Sequence, residues 1–153
     1  MSDGSTGTGL RLGGWTVPVV NAINHDWFTS GALTLQRCDA CGVVQHPPEE
    51  VCHACGGMVF SSRLVRPTGT VHSYTVVHHS VHPALDGFVP YTVVLVALDD
   101  EPDVRVVGNL LDVPIDEVAI GMPVVATWEE LASEDGTVVL LPQWQRDVKG
   151  VGR

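Results

Sequence analysis

The chain has 153 residues, and its 8 Lys and Arg face 18 Asp and Glu, a formal charge of −10. That length allows one ordinary domain, or a small module joined to a compact one. The charge opposes nucleic-acid binding, which depends on Lys and Arg to neutralise phosphates. Lys149 is the only lysine, and between Asp86 and Asp135 the single base is Arg105.

Residues 1–18 begin Gly/Ser/Thr-rich, with no basic cluster and no apolar run, and read as a disordered tail rather than a signal peptide. No later stretch has the apolar length of a membrane span. A cytoplasmic protein, away from membranes, is expected. Residues 19–66 form the first unit. Val19–Gly31 reads as a short helix, with Val20, Ile23, Trp27 and Phe28 on one apolar face. Asn21 or Asn24 is its expected cap and Gly31 its stop. Ala32–Arg37 alternates as a strand with Leu33 and Leu35 inward, and Val43–Gln45 returns from it.

All four cysteines of the chain fall between these strands and the next, as Cys38-x-x-Cys41 and Cys52-x-x-Cys55, each pair followed by glycine. A C-x-x-C turn aims two thiolates at one point, and the glycine lets the backbone turn tightly around them. Two such knuckles make a closed four-thiolate site for a structural Zn²⁺, with no position left for water or substrate. A redox motif comes as a single pair, and disulfides need an oxidising compartment. His46 and His53 read as surface-loop residues. Met58–Val65 then leaves as a strand with Met58, Phe60 and Leu64 inward, completing a rubredoxin-like zinc ribbon.

Pro67–Gly69 breaks the pattern, and residues 67–145 read as all-β. The expected strands are Thr70–His79, Tyr91–Leu98, Val104–Leu110, Gly121–Trp128 and Thr137–Leu141. In the first, Val71, Ser73, Thr75 and Val77 share a face. Gly108 reads as a bulge or bend, Pro114–Val118 as one helical turn, and Pro142 as the end of the last strand. Five strands with a helical turn between the third and fourth fit an OB-fold barrel. Residues 146–153 read as a second tail. The fold class is thus mainly β: a short helix, a zinc ribbon and a five-stranded OB barrel.

Chemistry is sparse. His78, His79 and His82 cluster at a strand end, where a polar loop is a simpler reading than a metal or acid–base site. No nucleophile elbow, P-loop or dinucleotide fingerprint occurs, and no catalytic residue is assigned. Asp99, Asp100 and Asp103 read as a solvated turn. Trp15 and Trp144 lie toward the chain's ends, where tryptophan often anchors an interface; packing of Trp15 on its own ribbon is the alternative.

Several stretches together resemble a known family, the acyl-CoA-associated zinc-ribbon/OB-fold proteins, a group of undefined domain function encoded beside thiolase-like enzymes. They are Gly31–Gly42, His46–Glu49 with Cys52–Gly56, Gly69–His78, Pro90–Tyr91, Ile120–Val124 and Leu141–Trp144. His53 stands where the family usually has proline. The resemblance implies a required non-catalytic subunit in a hetero-oligomer with a thiolase-like protein that works on carbon–carbon bonds of acyl-CoA thioesters. Some members associate with MaoC-type hydratase domains, and some resemble the small subunit of aldolases of steroid side-chain degradation. Acyl-CoA would then be held mainly by the partner, with Arg37, Arg63 and Arg66 as this chain's candidate contacts. The helix and the Ser80–Pro90 loop are the expected partner-facing elements. A stand-alone acyl-CoA-binding barrel and a nucleic-acid-binding ribbon/OB protein are the alternatives.

Overall fold

A computed structural model describes residues 17–133 and 135–149. The tail expected over residues 1–16, the packing of Trp15, and residues 150–153 of the second tail lie outside them.

Helix α1 spans only His25–Thr29. The longer helix expected over Val19–Gly31 does not form, because Asn21 takes the backbone for itself. Its Oδ1 accepts from the N–H groups of Ile23 and Asn24 at 2.9 and 3.1 Å, closing a local turn in place of a first helical turn. Of the expected apolar face, Trp27 is buried, Val20 and Phe28 are half-buried, and Ile23 is exposed. The helix stops at Ser30, just ahead of Gly31 in the left-handed region.

Strands β1 (Leu33–Cys38), β2 (Val44–Gln45) and β3 (Phe60–Val65) form an antiparallel sheet in the order β2-β1-β3. Leu33 and Leu35 are buried as expected. On β3 the inward face is not the expected one. Met58 and Leu64 are 71% and 65% exposed, and the buried residue is Val65, paired with Leu33. The pairing of β3 with β1 fixes its parity, and a one-residue slip exchanges the faces of a strand.

Strands β4 (Thr68–Val77), β5 (Tyr91–Leu98), β6 (Arg105–Leu111), β7 (Pro123–Ala132) and β8 (Val138–Arg146) close a barrel in the order β4-β5-β6-β8-β7. This is the OB-fold arrangement, with a 3₁₀ turn at Ile115–Glu117 between the third and fourth strands. Closure comes from a short parallel ladder in which Leu110 and Leu111 face Trp144 and Gln145.

Four details depart from the sequence reading. The β4–β5 register shifts between Val71 and Ser73, so strict alternation fails. Val71 is buried, whereas Ser73, Tyr74 and Thr75 are all exposed. Past Val71, whose backbone still bonds Gly121 and Met122, β4 pairs with β5 alone. Gly108 is no bulge, since its register with Val94 is regular. It is small because a Cβ there would lie 2.7 Å from Cδ1 of Trp144. Pro142 does not end β8, which continues to Arg146. At Pro142 the strand pairs with β7 alone, and the β6 ladder begins only at Trp144, so the missing N–H breaks nothing. Trp144 itself is fully buried in the core rather than held for an interface.

One continuous core joins the sheet and the barrel, running from Trp27, Leu33, Leu35 and Val65 to Val71, Val96, Leu110 and Trp144. In the acidic turn after β5, Asp99 and Asp103 are exposed as expected, but the turn also ties down the junction of sheet and barrel. Asp100 accepts from the Arg66 backbone N–H at 2.8 Å and pairs with its guanidinium at 2.7 Å. Glu101 pairs with Arg63 at 3.1 Å, and Asp99 accepts from Thr68 Oγ1 at 2.6 Å. The Arg66 hydrogen bonds and charge hold the Asp100 carboxyl below the usual carboxylate range.

Candidate metal centre

The two cysteine turns are built alike. The Cys38 carbonyl accepts from the Gly42 N–H at 2.8 Å, and the Cys52 carbonyl from the Gly56 N–H at 2.9 Å. Gly42 and Gly56 have φ of +77° and +76°, a conformation that glycine adopts without strain. The Cys38 N–H donates to Val43 O at 2.9 Å, and the Cys52 N–H to Gly57 O at 2.8 Å. Each turn therefore presents one buried and one exposed thiol, Cys38 with Cys41 and Cys52 with Cys55.

The four Sγ atoms lie within 4.8 Å of one another. Across the turns, Cys38 and Cys55 are 3.6 Å apart and Cys41 and Cys52 3.7 Å. Tetrahedral zinc with Zn–S near 2.3 Å puts its sulfurs about 3.8 Å apart. The donor set and its spacing therefore fit a structural Zn²⁺. So does the electrostatics. The Ala54 and Cys55 amides pull the Cys52 thiol down to about 6. Cys55 goes the other way: a Gly57 amide lowers it, but hydrogen bonding among the neighbouring thiols outweighs that and pushes it up to about 12. A cation removes the conflict by stabilising every thiolate at once.

Neither nearby histidine is a free surface residue. The His46 ring lies 4.2 Å from the Trp27 ring between centroids, and its Nδ1 is buried without a hydrogen-bond partner. Burial pushes its pKa from 6.5 down to about 4. His53 is exposed but is held through Nδ1, 2.9 Å from Gln45 Oε1. Sequence reasoning missed the partner in that contact: Gln45 is 5% exposed, a buried amide on a two-residue strand. A polar residue at a strand position carries no metal signal by itself; its pairing with Gln36 across the sheet appears only once the register is known.

The remaining candidates separate. Among the described residues, only the four cysteines bring three or more possible metal ligands together. His78 and His79 are exposed, and His82 Nδ1 accepts from the Ala84 N–H at 3.1 Å, capping the 3₁₀ turn Pro83–Leu85. Arg63 and Arg66 are engaged by the acidic turn, while Arg37 is exposed beside Gly42. A groove of about 600 Å³ runs between α1 and the ribbon, floored by Trp27, Leu35 and Phe60 and edged by Asp26, Glu49 and Glu50. The β4–β5 loop carries Val81 and Phe88 in the open over a small cluster of Leu85 and Tyr91. No helix among the described residues is long and apolar enough to cross a membrane.

A four-cysteine ribbon whose third strand runs on into a five-stranded OB barrel defines the class: a zinc-ribbon/OB-fold protein. Two family models match the chain, "ChsH2, rubredoxin-like zinc ribbon domain" over residues 29–59 and "ChsH2, C-terminal OB-fold domain" over residues 63–129. A "DUF35 domain-containing scaffold protein" of Methanocaldococcus jannaschii is 32% identical over 102 residues, which are 65% of this chain and 69% of that protein. The chain belongs to the ChsH2 (DUF35) family. A "probable enoyl-CoA hydratase alpha subunit" of Thermomonospora curvata is 40% identical over 120 residues, 76% of this chain but only 36% of that longer protein. A solved chain of an "Ltp2-ChsH2(DUF35) aldolase" superposes with a TM-score of 0.69 at 38% identity, covering 85% of this chain and 98% of that one.

Proposed function

We propose that this chain is a zinc-bearing, non-catalytic scaffold subunit of a hetero-oligomeric enzyme, in which Cys38, Cys41, Cys52 and Cys55 hold the metal. Its partner is a thiolase-superfamily protein acting on carbon–carbon bonds of acyl-CoA thioesters. Retro-aldol cleavage in steroid side-chain degradation is the reaction within that class. The observation that carries this reading is the likeness, at 38% identity, to nearly the whole of a chain from an aldolase complex. The surface supports it. Met58, Val59 and Leu64 on the ribbon and Val81 and Phe88 on the β4–β5 loop are large apolar side chains left in water, as interface residues are in a free subunit. The engagement of Arg63 and Arg66 supports leaving the coenzyme A phosphates to the partner. We also read the chain as two units, 19–66 and 67–145, since the ribbon sheet ends at Val65 and the barrel begins at Thr68.

The test is affinity purification of the tagged chain from its own cells, with mass spectrometry of what co-elutes. A near-stoichiometric thiolase-like chain is the expected result, and replacement of residues 80–90 by a Gly/Ser linker then abolishes co-elution. A chain that elutes alone and binds acyl-CoA in a calorimeter refutes the subunit reading. The hydratase relative favours a second reading, in which a hydratase chain co-elutes instead.

A further inference from the structure

The second cysteine turn has a support that neither the metal nor the backbone ladder provides. Gln36 on β1 and Gln45 on β2 are direct cross-strand partners. Both point their amides at the connection between the knuckles, residues 49–53. The Gln36 amide grips both peptide groups of Glu49: Nε2 donates to Glu49 O at 2.7 Å and Oε1 accepts from Glu49 N–H at 3.0 Å. Gln45 grips the two residues that flank Cys52. Its Nε2 donates to Val51 O at 3.3 Å, and its Oε1 accepts from His53 N–H at 3.1 Å. The two amides are then joined, Gln45 Nε2 donating to Gln36 Oε1 at 2.6 Å. With His53 Nδ1 as a second donor to Gln45 Oε1 at 2.9 Å, both donors and both acceptor sites of the Gln45 amide are filled. This network fixes the amide's orientation and makes Nδ1 the protonated nitrogen of His53.

Each amide thus does what a neighbouring strand would do, offering one donor and one acceptor to the same stretch of chain. Residues 49–53 follow Pro47 and Pro48 and form no strand. Without the amides, only the far side of the second knuckle would be tied to Cys38, through the Asp39 N–H bond to Val59 O at 2.9 Å and the pairing of Cys38 with Phe60, and the approach to Cys52 from residue 49 would rest on the metal. We infer that the Gln36–Gln45 amide pair is the positioning device of the metal centre: it sets the second knuckle before the metal arrives and slows its departure. The inference rests on the zinc reading but not on the partner. Gln45 touches no thiol; it acts through the backbone on both sides of Cys52, as groups outside the ligand set do when they orient ligands.

The experiment compares the full-length chain with Gln45→Leu, Gln45→Glu and Gln36→Leu. Zinc release to excess chromogenic chelator is timed, and the cobalt-substituted proteins are read by visible absorption. Gln45→Glu nearly keeps the shape but turns an oxygen toward Val51 O and Gln36 Oε1, separating hydrogen bonding from packing. Release about 10- to 100-fold faster is expected for both Gln45 variants, with an altered cobalt ligand-field band and an unchanged far-UV signal. Gln36→Leu shifts the rate in the same direction, and decides the matter if Gln45→Leu does not fold. Release within twofold of wild type in Gln45→Glu and Gln36→Leu, with one zinc per chain, overturns the inference alone. A wild-type chain purified without zinc and unable to take up cobalt overturns the metal reading and the inference together.

Discussion

His46 makes the fold acid-sensitive below neutral pH. In the folded chain it is neutral, half-buried against Trp27 with its Nδ1 shielded from water, and its pKa is lowered to about 4; in the unfolded chain it returns to 6.5. Between those values the unfolded state binds more protons, so stability rises with pH. The contribution is fully present above 6.5, declines as the pH falls, and is exhausted below about 4. Each pH unit inside that window is worth about 1.4 kcal/mol, so pH 5.0 removes about 2 kcal/mol relative to pH 7.5. The unpartnered Nδ1 supports this direction, because imidazolium would bury a donor with no acceptor. Urea unfolding followed by tryptophan fluorescence at both pH values, in wild type and His46→Leu, isolates the effect from the acid response of the thiolates. The wild type should lose about 2 kcal/mol more than the variant on acidification. Equal losses in the two proteins would refute the assignment of a neutral ring with a shielded Nδ1.

Three further outcomes follow from the packing and the metal centre. Gly108→Ala places a methyl group 2.7 Å from the fully buried Trp144 indole, and should destabilise the barrel by about 1–3 kcal/mol in urea; an unchanged midpoint would show that the indole can move aside. Cys41→Ser should purify with less than about a tenth of a zinc per chain by elemental analysis, since three thiolates no longer close the site, and acrylamide should then quench Trp27; full zinc occupancy would remove Cys41 from the ligand set. The Arg66–Asp100 pair is partly exposed, at 58% and 25% of the side chains, so a double-mutant cycle with alanine should give a small coupling that shrinks as salt is added. A large coupling that ignores salt would show a pair far less hydrated than its exposure indicates.

The parts legible in the sequence are those governed by short-range rules. Two C-x-x-C-Gly turns have one local geometry, and the structure repeats it hydrogen bond for hydrogen bond. The five barrel strands and the single turn at Ile115–Glu117 announce themselves through alternation and breakers. What stayed hidden depends on neighbours far along the chain. The face of Leu64 is set by pairing with Thr34, Gly108 by Trp144, and the continuation through Pro142 by which side of β8 is bare. The helix is shorter than its apolar spacing predicts, because Asn21 captures the N–H groups that a first turn would need. Gln36 and Gln45 gave no signal at all, since their role arises only when β1 and β2 stand side by side.

The parallel ladder between β6 and β8 has a consequence for how the molecule is made. The barrel cannot close until Trp144 meets Leu110, and β8 is the last described strand. All four thiols lie between residues 38 and 55, and the whole ribbon sheet ends at Val65. On a ribosome the metal site is therefore complete while half the barrel is still unsynthesised, and closing the barrel must wait for long-range pairing. A nascent chain that has taken up its metal would carry a folded ribbon whose core face, Leu33 and Val65, is uncovered until the barrel forms against it. Cellular metal supply would then act early in biogenesis, on the nascent chain.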